Sequence, residues 1–314
     1  MMAKPDVLVM GSYPKGDLDA LDAAFTVHRY WEADDKPAFI AALAPKIEAI
    51  ATRGDLGVPN DVMKALPKLK VISVYGVGLD AVDLNLARER GVAVTNTPNV
   101  LNDDVADLAL ALMLAVARRI PAGETHVRSG AWATQSFPLV TRMSGKRLGI
   151  LGLGGIGKAI AKRAQGFGMA ISYHGRTVQD DQPFKYYATA TELAANSDFL
   201  VAIVTGGAGT AKLVNADVLK ALGPNGYFIN VARGSVADEE ALLSALETGG
   251  IAGAGLDVYL NEPKIDPRFS KLENVVLQPH QGSGTVETRA VMGELMRNNI
   301  IAHFAGKPLL TPVD

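Results

Sequence analysis

Residues 148–157 read LGILGLGGIG, so Gly152, Gly154 and Gly157 stand directly after an apolar run and at the head of a helical pattern. Glycines at this spacing suit a phosphate-bearing ligand. Gly152 permits a tight turn, Gly154 lets backbone approach a pyrophosphate, and Gly157 lets the helix pack closely on the strand. The free N–H groups and the helix dipole then face the phosphates. A glycine spacing alone is weak evidence, but strand, turn, helix and second strand follow in order here, which predicts a dinucleotide-binding turn. Sites that prefer NAD usually carry an acidic residue at the end of the second strand, on the ribose 2′-hydroxyl. At that point this chain has His174-Gly175-Arg176-Thr177. A missing carboxylate and an added base favour a 2′-phosphate, hence NADP(H) preferred over NAD(H). The alternative reading of Arg176 is an ordinary exposed loop arginine.

Proton chemistry needs a titratable group, and five histidines are present. His28 falls in a predicted strand, His126 and His303 on helical stretches, and His174 at the cofactor loop, all readable as packed or surface imidazoles. His280 differs. It follows a strand and Pro279 and precedes Gln281-Gly282-Ser283-Gly284, at a predicted C-terminal sheet edge, where open α/β sheets bind ligands. Two other strands end there with functional residue types, Val231-Ala232-Arg233-Gly234 and Gly255-Leu256-Asp257-Val258, and Glu262 follows the second of them.

The elements that must position these residues are legible as a rhythm. Strands are expected at Val7–Met10, Thr26–Trp31, Ile47–Thr52, Lys70–Tyr75 and Val92–Thr95, with helices at Asp17–Phe25, from Pro37 to about Ala44, and from about Asn60 and Asp83. A long, mostly apolar helix from Asp103 to about Arg119 reads as buried and as the crossing into a second domain. A new rhythm follows: strand Leu148–Leu151, helix Ile156–Phe167, strand Ala170–Tyr173, then strands at Phe199–Val204, Tyr227–Val231, Gly255–Val258 and Val275–Leu277. Helices fall near Asn215–Leu222 and Asp238–Glu247, and a last one, about Val286 to Phe304, returns to the first domain. This alternation argues for parallel sheets covered on both faces.

Composition narrows the function classes. The 314 residues suggest two domains, at roughly 100–200 residues each. With 31 basic against 33 acidic side chains, a net charge of −2 and no basic block, nothing recommends a nucleic-acid binder. The absence of cysteine excludes disulfides, thiolate zinc sites and a cysteine nucleophile, and no metal site is expected. The N-terminal apolar stretch is too short for a secretory signal. The longest apolar run, Leu108–Ala117, is ten residues where a membrane span needs about 20. The expectation is a soluble, cytoplasmic protein. Its 32 glycines include Gly206, Gly207 and Gly209 as candidates for simple flexibility.

The chain resembles the D-isomer-specific 2-hydroxyacid dehydrogenases in the 152–157 loop, Ala232-Arg233-Gly234, Gly255-Leu256-Asp257-Val258, Asn261-Glu262-Pro263 and Pro279-His280. The likeness extends to Val77-Gly78-Leu79-Asp80, Val94-Thr95-Asn96-Thr97-Pro98 and Asp104-Val105-Ala106-Asp107. Leu193–Asp198, Gly282–Arg289 and Gly306–Pro312 are similar to the branch of NADPH-dependent glyoxylate/hydroxypyruvate and hydroxyphenylpyruvate reductases. The resemblance implies two Rossmann-like/flavodoxin-like α/β domains around a cleft. Residues 100–284 would form the NADP-binding domain, inserted in a substrate domain made of 1–99 plus 285–314.

It also implies roles. Arg233 would hold the keto acid with its planar fork, His280 would protonate the C2 oxygen as hydride arrives, and Glu262 would orient the imidazole and favour its charged form. Val77 and Gly78 would offer turn amides to the substrate carboxylate, with a plain turn as the alternative, and cleft closure would bring that turn towards Arg233. Asp257 looks like the contact to the nicotinamide amide, or else a structural strand-end acid. Gly155, Ile156, Thr177, Thr205, Ala232 and Gly282 complete the implied cofactor contacts. The family is usually dimeric, and 103–140 resembles its dimerisation segment, with Trp132 and Phe137 as contacts or as ordinary packing. Phe137 is a candidate to reach the partner's active site.

Three positions depart from the pattern. Gly155 stands where relatives often have arginine, Gln281 replaces a small apolar residue, and Thr205–Thr210 lacks the usual proline-containing segment. The expected reaction is NADPH-dependent reduction of glyoxylate or hydroxypyruvate to the D-2-hydroxy acid. The alternatives are a (hydroxy)phenylpyruvate reductase or a dinucleotide-sensing binding protein of the same fold.

Overall fold

The computed structural model describes residues 4–313. They divide into two compact units, one reaching Val100 and resuming at Thr285, the other running Leu101–Gly284.

The first unit begins with β1 (Asp6–Val9), α1 (Lys15–Ala24), β2 (Thr26–Arg29), α2 (Lys36–Leu43), β3 (Ala49–Arg53), α3 (Asn60–Ala65), β4 (Val71–Tyr75), α4 (Leu84–Glu89) and β5 (Ala93–Thr95). The strands pair in parallel in the order β2-β1-β3-β4-β5. Such strands are covered on both faces and therefore read as unbroken apolar runs; Leu8, Ile50 and Ile72 are fully buried at their centre. Asp35 caps α2, with Pro37 in its first turn, where a proline costs no hydrogen bond.

The second unit holds α5 (Asn102–Ala117), α6 (Ile120–Arg128), β6 (Arg147–Leu151), α7 (Gly155–Gln165), β7 (Ala170–His174), β8 (Lys185–Tyr186), α8 (Ala190–Ala195), β9 (Phe199–Ala202), α9 (Ala216–Leu222), β10 (Tyr227–Asn230), α10 (Glu239–Glu247), β11 (Gly253–Leu256) and β12 (Val275–Leu277). Its seven strands are parallel in the order β12-β11-β10-β9-β6-β7-β8. The strand order reverses between β6 and β9, and a ligand crevice is expected at the carboxyl ends of the strands beside such a reversal. Arg147 and Asp198 pair at 2.9 Å at the opposite ends of β6 and β9.

α11 (Val286–Phe304) belongs to the first unit and lies on β4: Ser73 Oγ donates to the Met296 carbonyl (3.0 Å) and the Tyr75 hydroxyl to that of Arg289 (2.9 Å). Beyond it, Pro312 forms an antiparallel bridge with Thr95.

Three features differ from the sequence expectation. The strand expected over Thr26–Trp31 stops at Arg29, and Tyr30–Glu32 form a 3₁₀ turn. β11 lies two residues earlier than Gly255–Val258. Its glycines weaken the strand signal, yet β10 and α5 together impose the strand. A Cβ on Gly253 would fall 2.9 Å from Val116 Cγ2, and one on Gly255 2.9 Å from Leu112 Cβ, so close helix approach requires glycine there. Asp257 consequently stands just beyond the strand. Three elements were not expected at all. Pro121 and Gly123 obscure α6, and β8 is only two residues long. α8 carries a legible signal, since Thr189 and Glu192 form a reciprocal capping box.

Candidate active site

Gly152 directly follows β6 with φ 99°, a left-handed conformation that glycine adopts without strain. Its N–H donates to the His174 carbonyl (2.9 Å). A Cβ on Gly157 would collide with the Gly152 carbonyl oxygen, whereas one on Gly154 would meet nothing. α7 therefore starts tight against its strand with open space at Gly154. Its N-cap is Gly154, which has no side chain to cap the helix, while Thr189 and Asn215 cap α8 and α9. A glycine-headed helix N-terminus, at the β6/β9 reversal, fits a pyrophosphate. Gly155 and Ile156 lie in this first turn. The place where a Gly155 side chain would project is taken by Asn102, whose Nδ2 lies 2.7 Å from that Cβ position; this neighbour was not anticipated.

At the end of β7, Arg176 and Thr177 are both exposed, and no acid occurs before Asp180. Gln179 ties this loop to the glycine turn, its Nε2 donating to the Leu153 carbonyl (2.8 Å). Asp181 faces Lys158 at 3.7 Å; hydrogen bonding from Gln182, together with Lys158, holds its carboxyl below the ordinary range. Across the sheet, the Thr210 hydroxyl donates to the Thr205 carbonyl (2.6 Å), closing the 205–210 loop.

The catalytic candidates stand past β10, β11 and β12. Arg233 precedes a short 3₁₀ turn at Gly234–Val236, and its Nη1 donates to the Ala232 carbonyl (2.7 Å). The backbone beneath it is fixed by Asn230, which is 1% exposed: Oδ1 accepts from the Ala232 N–H (3.1 Å) and Nδ2 donates to the Arg233 carbonyl (3.0 Å). The sequence reading missed Asn230, although an amide ending an apolar strand a few residues before a candidate arginine is a usable signal.

Glu262 Oε1 accepts from the Tyr259 N–H (2.8 Å), and Oε2 lies 2.6 Å from His280 Nδ1. Burial pushes the Glu262 carboxyl up, but the His280 hydrogen bond, the Tyr259 amide and the charges of His280 and Arg233 bring it below its ordinary range. An ionised Glu262 thus orients the imidazole through Nδ1 and leaves Nε2 for proton exchange. Asp257 accepts from the Gln281 (2.6 Å) and Gly282 (2.7 Å) amides; its carboxyl is pushed up by burial, against those two bonds.

The second unit therefore carries the glycine loop together with Arg233, Asp257, Glu262, His280 and Gly282. Val77 and Gly78 follow β4 in the first unit. Their turn is held by Thr97, whose Oγ1 accepts from the Gly76 N–H (3.0 Å), and by Asn96, whose Nδ2 donates to the Val77 carbonyl (3.0 Å). Phe137, past the end of α6, is half-buried, its ring 5.4 Å from that of His126. Among the described residues, no group of three or more His, Cys, Asp or Glu could hold a metal, and no helix is long and apolar enough to cross a membrane.

Comparison with known proteins follows the same division. The NAD binding domain of D-isomer specific 2-hydroxyacid dehydrogenases matches residues 110–282. The chain is 50% identical to hydroxyphenylpyruvate reductase of Plectranthus scutellarioides over 93% of this chain and 94% of that protein. It is 45% identical to 2-ketogluconate reductase of Gluconobacter oxydans over 100% of both. Among solved structures, an NADPH-dependent glyoxylate/hydroxypyruvate reductase from Sinorhizobium meliloti, in complex with NADP and malonate, superposes with a TM-score of 0.94 at 42% identity, covering 99% of this chain and 97% of that one. A match across the unit that holds the glycine turn, supported by relatives aligned over nearly the whole length, means that this chain belongs to the D-isomer-specific 2-hydroxyacid dehydrogenase family.

Proposed function

We propose that this NAD(P)-dependent 2-hydroxyacid dehydrogenase reduces a small 2-keto acid, glyoxylate or hydroxypyruvate, to the D-2-hydroxy acid, with NADP(H) preferred over NAD(H). The observation that carries the reading is the 2.6 Å contact of His280 Nδ1 with Glu262 Oε2, beside the charge of Arg233. A bound nicotinamide supplies the hydride to the C2 carbonyl carbon. Protonated His280 gives its Nε2 proton to the carbonyl oxygen, so carbon is reduced and the alkoxide is neutralised in one turnover. Glu262 stays ionised and holds the ring by Nδ1, with Nε2 towards the substrate oxygen. Arg233 holds the carboxylate or carbonyl with paired N–H donors, and the turn amides of Val77 and Gly78 bind the carboxylate. The first amides of α7, at Gly155, Ile156 and Gly157, take the pyrophosphate, while Thr205, Ala232 and Gly282 line the rest of the cofactor. Exposed Arg176 with Thr177, and the lack of a carboxylate at the end of β7, support NADP(H).

NADPH absorbance followed against glyoxylate, hydroxypyruvate, hydroxyphenylpyruvate and 2-ketogluconate tests the reading. A higher kcat/KM for the first two is expected. The 50% identity with hydroxyphenylpyruvate reductase favours a second reading, and a large aromatic preference would establish that one instead. No turnover with any keto acid would favour a dinucleotide-sensing binding protein. We further propose a homodimer in the cytoplasm, free of nucleic acid and membrane partners; cell fractionation checks the location.

A further inference from the structure

The imidazole on which the proposed reaction depends stands on unusual backbone. His280 has φ 55°, a left-handed conformation that a bulky L residue keeps only where its surroundings impose it. One buried residue supplies the constraint. Asp257 is 1% exposed and lies just beyond β11. Its carbonyl accepts from the His280 N–H (2.9 Å), its Oδ1 from the Gln281 N–H (2.6 Å) and its Oδ2 from the Gly282 N–H (2.7 Å). Three consecutive amides are thus fastened to a single side chain and its own carbonyl. An ionised carboxylate has only acceptors, so both oxygens suit amide donors, whereas an asparagine would turn an NH₂ towards one of them. Gly282 lies against the clamp: a Cβ there would be 3.1 Å from Asp257 Oδ2 and 3.3 Å from Val105 Cγ2.

We propose that Asp257 is the positioning residue of the proton donor, its carboxylate clamping residues 280–282 so that His280 stays left-handed with Nδ1 on Glu262. Released from the clamp, the backbone at 280 relaxes to a commoner conformation and the Cα–Cβ bond swings, carrying the imidazole off Glu262. This role acts through His280 and so rests on the reading of His280 as proton donor. It is separate from a contact between Asp257 and the nicotinamide amide, which would be felt first in cofactor affinity.

The test uses the full-length protein and the near-isosteric D257N. In the cofactor-free wild type, hydrogen exchange should show the Gln281 and Gly282 amides protected, and in D257N, which keeps one acceptor oxygen, at least one of the two should lose that protection. With NADPH and hydroxypyruvate, kcat of D257N should fall about 10²-fold, the scale of a misplaced catalytic group, while the NADPH dissociation constant stays within a few-fold of wild type. Wild-type amides that exchange as fast as open loop would overturn the clamp, and this holds even if D257N does not fold. Protected amides in D257N, with NADPH affinity reduced as much as kcat, would overturn it in favour of the nicotinamide contact. Failure of the donor reading is separately visible, because H280A would then keep a near-normal kcat.

Discussion

At the Glu262–His280 pair, charge and geometry lead to two measurable outcomes. H280A removes the group proposed to protonate the substrate oxygen, and kcat should fall by about 10²–10⁴, the usual contribution of a general acid; a near-normal kcat by NADPH absorbance refutes the role. Glu262 is held below the ordinary carboxylate range in the folded protein. Its stabilising contribution is therefore complete above the unfolded value of about 4.3 and is lost as pH falls through the lower folded value. E262Q lacks that contribution at every pH. The difference in urea midpoint between wild type and E262Q should be present near neutrality and close in strong acid, and an equal difference at both would contradict the linkage. On the cofactor side, R176A should weaken NADPH by roughly tenfold or more, as expected for a lost hydrogen bond to a charged group, and NADH far less. Titrations showing equal losses for both cofactors would remove the 2′-phosphate reading.

At the scale of elements, the β6–turn–α7 unit is decided by contact between backbones. Alanine in place of glycine within a helix usually gains about 1 kcal/mol. At Gly157 the new methyl would run into the Gly152 carbonyl oxygen, which is backbone and cannot rotate away. Overpacking of this kind costs about 1–3 kcal/mol, so the clash outweighs the propensity gain. G157A should lower Tm and weaken NADPH binding together, as differential scanning calorimetry and fluorescence titration would show. This turn was legible in the sequence because all its determinants are local: strand, three glycines and helix within a few residues. Arg233, Glu262 and His280 stand out as candidates in the sequence because each directly follows an apolar run or lies a few residues beyond one. Asp257 stands out too, but its place beyond the strand does not. The end of β11 depends on α5 pressing on Gly253 and Gly255, a contact made over a long stretch of sequence. Asn230 was missed for a related reason. It works inward, on the main chain of Ala232 and Arg233, and local spacing does not report which way a strand-end amide turns.

For the whole molecule, the stretch after α5 leaves apolar side chains in water. Ile120 is 54%, Val127 56% and Trp132 67% exposed, and Leu139 is fully exposed. Large exposed apolar residues concentrated in one segment are the observation that supports the proposed dimer. The double variant W132D/L139D should run as a monomer in size-exclusion chromatography with light scattering while retaining its circular dichroism. A wild type that is itself monomeric would refute the proposal.

The order in which the two units use the chain has a further consequence during synthesis. The first unit is interrupted at Val100 and resumes only at Thr285, and its β4 receives α11 through the Ser73–Met296 and Tyr75–Arg289 bonds. On a ribosome, the five N-terminal strands emerge first yet must wait for α11. The seven-stranded sheet has all its partners once Leu277 has appeared. The unit begun first is therefore the one finished last. A nascent chain stalled before Thr285 should protect the second unit against protease while β4, lacking its helix, remains open to cleavage.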